Sequence, residues 1–311
     1  MSRYLATTPD QPVGIPPIRF DSAPGDMTAM AEHDWGLIER EMPKEWEEGD
    51  GKNVIVFVLD TGCPEHRNLP DPVFKENFTN SRTVYDRNGH HTHCAGIVHQ
   101  WAPKADLAHF KVLGDNGSGS TTWGTRAINR VIELWEGGLK DKYDGCVISM
   151  SLGGPYDREQ DEALKRAEAA GIVIPAAAGN SGANAGVDSP GDSTATLGVA
   201  AYRKDGDIST FSSGGPEVDF AMPGEHILST YLNNQYRVLS GTSMATPALA
   251  GLIACAISSR PKDDWIKNTK GMRELLSKHA EDRGKEGKDN RFGIGVPNAD
   301  HAVRDPEWWF F

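Results

Sequence analysis

Cysteine is scarce in this chain, with four in 311 residues (Cys63, Cys94, Cys146 and Cys255) and no CxxC pair. The paired spacing that a zinc site needs is therefore missing. Each thiol sits among apolar or small residues, in LDTGC, HTHCAGI, DGCVISM and LIACAI. That context reads as four reduced, buried side chains in a reducing compartment. Long apolar runs are missing as well: nothing approaches the ~20 residues that span a bilayer. The N-terminal stretch MSRYLATTPDQPVGIPPIRF lacks the apolar centre of a secretory signal. A signal trimmed beforehand would leave the same picture, and a cytoplasmic location is the expectation. Positive charge is in deficit, with 32 Lys and Arg against 44 Asp and Glu and a net charge of −12. Long-range attraction then has the wrong sign for nucleic acid or an anionic membrane. Internal repeats and low-complexity tracts are also absent.

What is present is an ordinary globular composition, 38% hydrophobic and 24% charged, in a chain long enough for one large α/β domain or two small ones. Residues 1–50 stand apart, holding Pro9, Pro12, Pro16, Pro17, Pro24 and Pro43 with little periodicity. They read as an extended arm plus a lead-in, with Met27–Arg40 and Pro43–Glu48 as candidate short helices. From Asn53 the pattern changes. Asn53–Leu59 is an almost continuous apolar, β-branched run, which predicts a strand buried on both faces of a parallel sheet. Asp106–Leu113, Gly145–Met150 and Ile172–Ala177 repeat it. Helices are predicted between them: Thr121–Trp135, with Trp123, Ala127, Val131 and Trp135 on one face, and Asp157–Ala170, closed by Gly171. Strands alternating with helices predict βαβ units around a mainly parallel central sheet. Such sheets gather functional residues at the carboxyl ends of their strands. Asp60, the GGP loop after Met150 and Gly179-Asn180 all fall there. Short strands and turns follow over Thr194–Leu239, and Thr242–Ser259 reads as a helix buried all round, with Pro247 early in it.

Hydrolysing an amide with a serine requires an activated hydroxyl, a base, a group that orients the base, and donors for the oxyanion. Asp60 ends an apolar strand in VLDTG, where a carboxylate can accept from a histidine or simply cap a turn. NGHHTHCAGI carries three histidines in four positions, and His90, His91 and His93 lack the i, i+4 spacing of a helical metal chelate. Ser243 in GTSMATPALAG follows a Gly-Thr turn at a helix start, where it reads equally as a nucleophile beside free amide donors or as an N-cap. Asn180 in AAAGNSG lies in a glycine-flanked turn from which its amide can point into a cleft.

Taken together, LDTG, HxTHxAG, AAGN and GTSMATP, in that order, resemble the subtilisin family. KVLGDNGSGS, ISMSLGGP, FSSGG, PGEHILST and GIGVPNADHAV extend the resemblance from about Asn53 to Val303. It is strongest to the intracellular subtilisins. The resemblance implies a three-layer α/β fold with helices on both sides of the sheet. It implies a serine endopeptidase acting on protein or peptide substrates through an acyl-enzyme, with no cofactor required. Ser243 would be the nucleophile, His90 the general base and then acid, and Asp60 its partner. Asn180 and the Ser243 amide would hold the oxyanion. Ser151, Leu152 and Gly153 resemble the rail that pairs with substrate backbone, and Ala176–Asn180, including Gly179, with Asp188–Pro190 would wall the S1 pocket. The catalytic domain would cover residues 51–305. Residues 1–50 would form an extension whose PVGIPPIRF could lie across the cleft as an inhibitory pseudo-substrate or rest on the surface as a tail. The tail at 306–311, which carries EWWFF, would dock on the domain or contact another subunit, and the oligomeric state is left open.

The chain departs from the family pattern at four places. His91 stands where glycine is usual: it either adds a titratable ring beside the site that would perturb its pH profile or, the reading favoured here, turns its side chain to solvent. Ala248 replaces a histidine at a packing position. The segment HCAGIVHQWAPKADL is too short for the loop that supplies most ligands of the family's strong calcium site, and Asn68 stands for an aspartate ligand. That site is expected to be absent, while weaker calcium binding elsewhere stays open. Asp188 aligns with the floor of the S1 pocket, where a carboxylate would favour a basic P1 side chain, unless the loop SGANAGVDSPGD has shifted and leaves it in solvent.

Overall fold

The structure, a computed structural model, describes residues 10–17, 19–21, 35–39, 42, 48–278 and 280–304. In chain order come strands β1 (Pro12–Gly14) and β2 (Arg19–Asp21), helix α1 (Trp35–Glu39), and strands β3 (Val54–Asp60) and β4 (Phe74–Asn77). Helix α2 (His90–Trp101), strands β5 (Asp106–Lys111) and β6 (Ser118–Ser120), helix α3 (Thr121–Glu136) and strand β7 (Gly145–Ser149) follow. Then come α4 (Arg158–Ala169), β8 (Ile172–Val173), β9 (Pro175–Ala177), β10 (Leu197–Tyr202), β11 (Val218–Pro223), β12 (Ile227–Tyr231) and β13 (Gln235–Ser240). Helices α5 (Thr242–Ser259), α6 (Thr269–Ser277) and α7 (Ala299–Arg304) close the described chain. The candidate helix at Met27–Arg40 is described only over α1. Pro43–Glu48 and the tail lie almost wholly outside the described residues.

Strands β4, β5, β3, β7 and β8 form one parallel sheet in that order, and β9, β10 and β11 form another. A bridge between Met150 and Ala176 joins the two into one surface. The expected strand at Ile172–Ala177 thus breaks into β8 and β9, which serve different neighbours. The alternation of β3 shows how three layers arise. Val54, Val56 and Val58 enter a core with Ile97, Val98 and Trp101 of α2 and most of α5. Ile55, Phe57 and Leu59 enter the opposite core with Ala127, Ile128 and Val131 of α3 and Leu164 of α4. Successive strand residues face opposite sides, so helices on both faces demand an unbroken apolar run. Each such side chain contributes about 1.5–3 kcal/mol by leaving water.

Helix α5 runs through the first core and is apolar on every side. By length and composition it is the one described helix able to cross a membrane, yet 89% of it is buried inside the protein, as the central helix of a core. Against it α2 packs closely, where Gly251 admits the Trp101 side chain and a Cβ would collide with it. These two helices start at the same edge of the sheet, and their first turns carry His90 and Ser243.

Candidate active site

Asp60 ends β3 in register with Lys111 of β5, and its carbonyl accepts from the amides of Val112 and Leu113. Its carboxylate then points back over the strand end. Oδ1 takes the Thr61 amide at 2.6 Å, and both oxygens lie 2.8 Å from His90 Nδ1. Two acceptors on one ring nitrogen mean that Nδ1 carries the proton and leaves Nε2 as a base. His90 opens α2 after Gly89, whose φ of 100° is left-handed and whose missing side chain makes room for the Tyr231 ring. Asp86 ties the two parts together: its carboxylate accepts from Thr61 Oγ1, the amides of Asn88, Gly89 and Thr92, and Thr92 Oγ1, at 2.7–3.0 Å. Burial works against a charged imidazole at His90, but the Asp60 carboxylate outweighs it and lifts the ring well above its ordinary pKa.

Ser243 is the second residue of α5, fully buried beneath its surroundings. Four residues on, Pro247 has no N–H to return to the Ser243 carbonyl. That carbonyl accepts instead from Ser151 Oγ at 2.9 Å and from Cys94 Sγ at 3.4 Å. The proline inside the helix thus creates the acceptor that seats the loop after β7 and the thiol of α2 beside the serine. Ser243 Oγ donates to the Ser151 carbonyl at 3.4 Å, and His90 Nε2, also buried, has no partner among the described residues. Asp60, His90 and Cys94 bring ligand-type atoms within 4.8 Å of one another. Nδ1 is committed to Asp60 and the thiol to the Ser243 carbonyl.

Asn180 follows Gly179 (φ 105°) at the end of β9. Its Oδ1 accepts from the Thr242 amide and Thr242 Oγ1, both at 2.9 Å, which settles which end of the amide faces the cleft. Nδ2 points outward and donates to the carbonyl of Pro17 at 3.0 Å. The N-terminal arm therefore runs through the site. β1 pairs antiparallel with β6, Gly14 exchanges two bonds of 3.0 Å with Gly153, and the Ile15 amide reaches Gly117 O. Beyond the serine, β2 pairs with β13. Further upstream, Gln11 bonds Thr121, and Asp10 Oδ1 accepts the Thr122 amide at 2.9 Å.

Of the other candidates, Ser151, Leu152 and Ala176 are buried, and Gly153 is the residue that pairs with Gly14. Gly154 and Ser189 exchange two backbone bonds, which bring Asp188 alongside the rail. Its half-buried carboxylate lies between Gly153 and Gly179, and a Cβ on Gly179 would run into it. Burial, and then the neighbouring Asp192, raise the Asp188 carboxyl above the usual range.

One expectation is corrected outright. His91 does not turn to solvent: it is fully buried, its Nδ1 accepts the Gly62 amide at 3.0 Å, and its Nε2 lies 2.9 Å from His109 Nδ1. His93 is buried as well, on the Arg237 carbonyl. Asp86, Thr242 and Pro247 were not singled out as parts of the site. In sequence Asp86 stands three residues ahead of the N-cap Gly89, outside the capping position, so no local pattern marked it.

A profile of the subtilase family matches residues 51–295, a span that contains Asp60, His90, Asn180 and Ser243. An intracellular serine protease of Paenibacillus polymyxa is 40% identical over 233 residues, covering 68% of this chain and 69% of that protein. The major intracellular serine protease of Bacillus subtilis is 38% identical over 235 residues, covering 68% and 71%. The minor extracellular protease Epr of the same species is 31% identical over 273 residues, 84% of this chain, and the match takes in 40% of Epr's length. With the match running through every element that builds the cleft, this chain belongs to the subtilase family of serine proteases.

Proposed function

We propose that the protein cleaves internal peptide bonds through Ser243, with a preference for a basic P1 side chain, and that its own N-terminal arm restrains it. The observation that carries the reading is a peptide carbonyl, that of Pro17, already resting on Asn180 beside Ser243. A substrate carbonyl in that place would be attacked by Ser243 Oγ as its proton passes to His90 Nε2. Asp60 would hold Nδ1–H and offset the imidazolium charge. The oxyanion would lie between Asn180 Nδ2 and the Ser243 amide, one of the unpaired donors at the start of α5. His90 would then give its proton to the leaving amine, and water would release the acyl group by the same steps in reverse.

The restraint is supported by the composition of the arm. Pro16 and Pro17 lack N–H groups, so the ladder that runs from Gln11 to Ile15 cannot continue past the serine. The arm fills the cleft without the pairing that would hold a bond for attack. For the P1 preference the support is Asp188, whose carboxylate faces the rail and Gly179. A guanidinium or ammonium entering there would gain a charge-assisted bond. The absence of a strong calcium site is proposed on the direct passage from α2 at Trp101 to β5 at Asp106 and on Asn68. A cytoplasmic location is proposed on the two intracellular relatives and on four buried cysteines that form no disulfide among the described residues.

Peptide hydrolysis by the wild type and by Ser243→Ala, over a panel varying P1 and with or without EDTA, tests the set. Activity lost in the variant, kept in EDTA and greatest after Arg or Lys is the expected outcome. A fold that binds peptides without cutting them would show no Ser243-dependent hydrolysis even after the arm is trimmed.

A further inference from the structure

Two buried histidines outside the triad, His91 and His109, have no role so far. The first lies one hydrogen bond from the turn that carries Asp60, and the second is bonded to the first. Gly62 N–H can only donate, so His91 Nδ1, 3.0 Å away, is unprotonated. The ring proton of His91 therefore sits on Nε2 and is donated to His109 Nδ1 at 2.9 Å, which leaves the proton of His109 on Nε2. The hydrogen bonds thus fix both tautomers, and both rings are neutral. Burial pushes each well down in pKa, and the ionisable groups acting on the pair are His90, Lys111 and Lys75.

The turn itself is tied at every residue. Thr61 N–H goes to Asp60, Thr61 Oγ1 donates to Asp86 and accepts from the His91 amide, and the Thr61 carbonyl takes the buried Lys111 ammonium. Gly62, at φ 133°, has no space for a side chain against the Val84–Asp86 backbone. His91 is the residue next to the catalytic base on α2, and it grips the turn through both its backbone and its ring. The aspartate and the histidine of the triad come from different elements, β3 and α2, and His91 spans the two. Packing alone would be served by an apolar side chain. An imidazole in a dry interior must have its nitrogens satisfied, and here the bond it makes is to the Asp60 turn.

We propose that His91, backed by His109, is a positioning residue that sets the Asp60 carboxylate against His90 by anchoring the Gly62 amide to α2. The proposal rests on the peptidase reading but is separable from it. His91→Gly, the residue usual in the family, removes the ring acceptor. His91→Asn keeps one, because Asn Oδ1 stands close to where Nδ1 was. In the full-length chain, His91→Gly is expected to lower kcat about 10-fold or more with little change in KM, since small displacements of reacting groups are costly. The acid limb of kcat/KM is expected to move to lower pH, because a loosened Asp60 no longer lifts His90 as far. His91→Asn restores most of both. A role in stability alone would move the melting temperature and leave the acid limb where it was.

A second readout needs no turnover. The low-field Nδ1 proton of His90, seen by NMR, is expected to move in His91→Gly and to stay in His91→Asn, with imidazole ¹⁵N shifts giving His91 as the Nε2–H tautomer. Folded His91→Gly with an unmoved His90 proton and an unmoved acid limb overturns the proposal. So does His91→Asn behaving like His91→Gly. Absent hydrolysis in every variant, wild type included, both in the full-length chain and after the arm is trimmed, would refute the peptidase reading and leave the NMR comparison to decide this one.

Discussion

Removing the arm is the perturbation with the largest expected effect. Residues 11–15 hold the cleft through the Gln11–Thr121 and Gly14–Gly153 pairs and the Ile15–Gly117 bond, and Asn180 adds Pro17. A tethered segment competes at an effective concentration of about 1 mM. If the arm binds as a substrate-like peptide with a dissociation constant of roughly 10–100 μM, within the usual KM range, it occupies the cleft about 90–99% of the time. Apparent KM should then be about 10- to 100-fold higher in the full chain than in a variant lacking residues 1–25, with kcat unchanged. Gly14→Pro gives a finer test. It removes the Gly14 N–H that reaches Gly153 O, and the nearest atom to a new Cβ is Gly117 O at an ordinary 3.4 Å. Losing one such bond is worth about 0.5–1.5 kcal/mol, which is roughly a 2- to 12-fold recovery. Initial rates on a chromogenic peptide, over a range of substrate concentrations, read both. Identical apparent KM in the full chain, the truncation and Gly14→Pro would refute the occupancy reasoning.

Three further outcomes are expected. Asp188→Ser should lower the ratio of kcat/KM for Arg over Leu at P1 by about 10- to 100-fold, from the roughly 1.5–3 kcal/mol of a charge-assisted bond, and an unchanged ratio would remove Asp188 from the pocket. Asp86→Ala strips the acceptor from five donors and should cost roughly 2–5 kcal/mol, seen as a melting point lower by roughly 5–10 °C, whereas Asp86→Asn, which keeps one acceptor oxygen, should lose less. Acid should destabilise the fold steeply. His93 and His109 are depressed by burial to about 3, and His91 well below its ordinary value, so below about pH 6.5 the unfolded chain binds protons that the folded chain refuses. Stability then falls as pH falls, by about 1.4 kcal/mol per unit for each histidine. His90, raised instead, is protonated in both states there and adds no slope; its contribution is lost on the alkaline side. Denaturant melts of Ser243→Ala at pH 7, 6 and 5 measure this, and a flat profile would mean that the three rings are not buried and neutral.

What could be read from the residues alone was what local pattern carries. The unbroken apolar run of β3 implied helices on both faces, and the all-round apolar α5 implied a central position, because each element's periodicity reports its own surroundings. The strand-end positions of Asp60 and Asn180 could be read from the pattern, because polar residues after apolar runs fall at the carboxyl edge of a parallel sheet. His90 and Ser243 were singled out from their alternatives only by the resemblance to the subtilisin family. His91 was misread because a lone histidine next to a catalytic one carries no sign of what it faces. Its partners, Gly62 and His109, lie 29 and 18 residues away on other elements. Asp86 joins parts of the chain 25 residues apart, and the Ser243 carbonyl freed by Pro247 takes donors 92 and 149 residues distant. The arm was legible as extended, since its prolines dictate that, but its path across Asn180 depended on which strand edges were unpaired. Strand edges and buried polar atoms take whichever partner the packing brings within about 3 Å, and that choice is made only when the layers close.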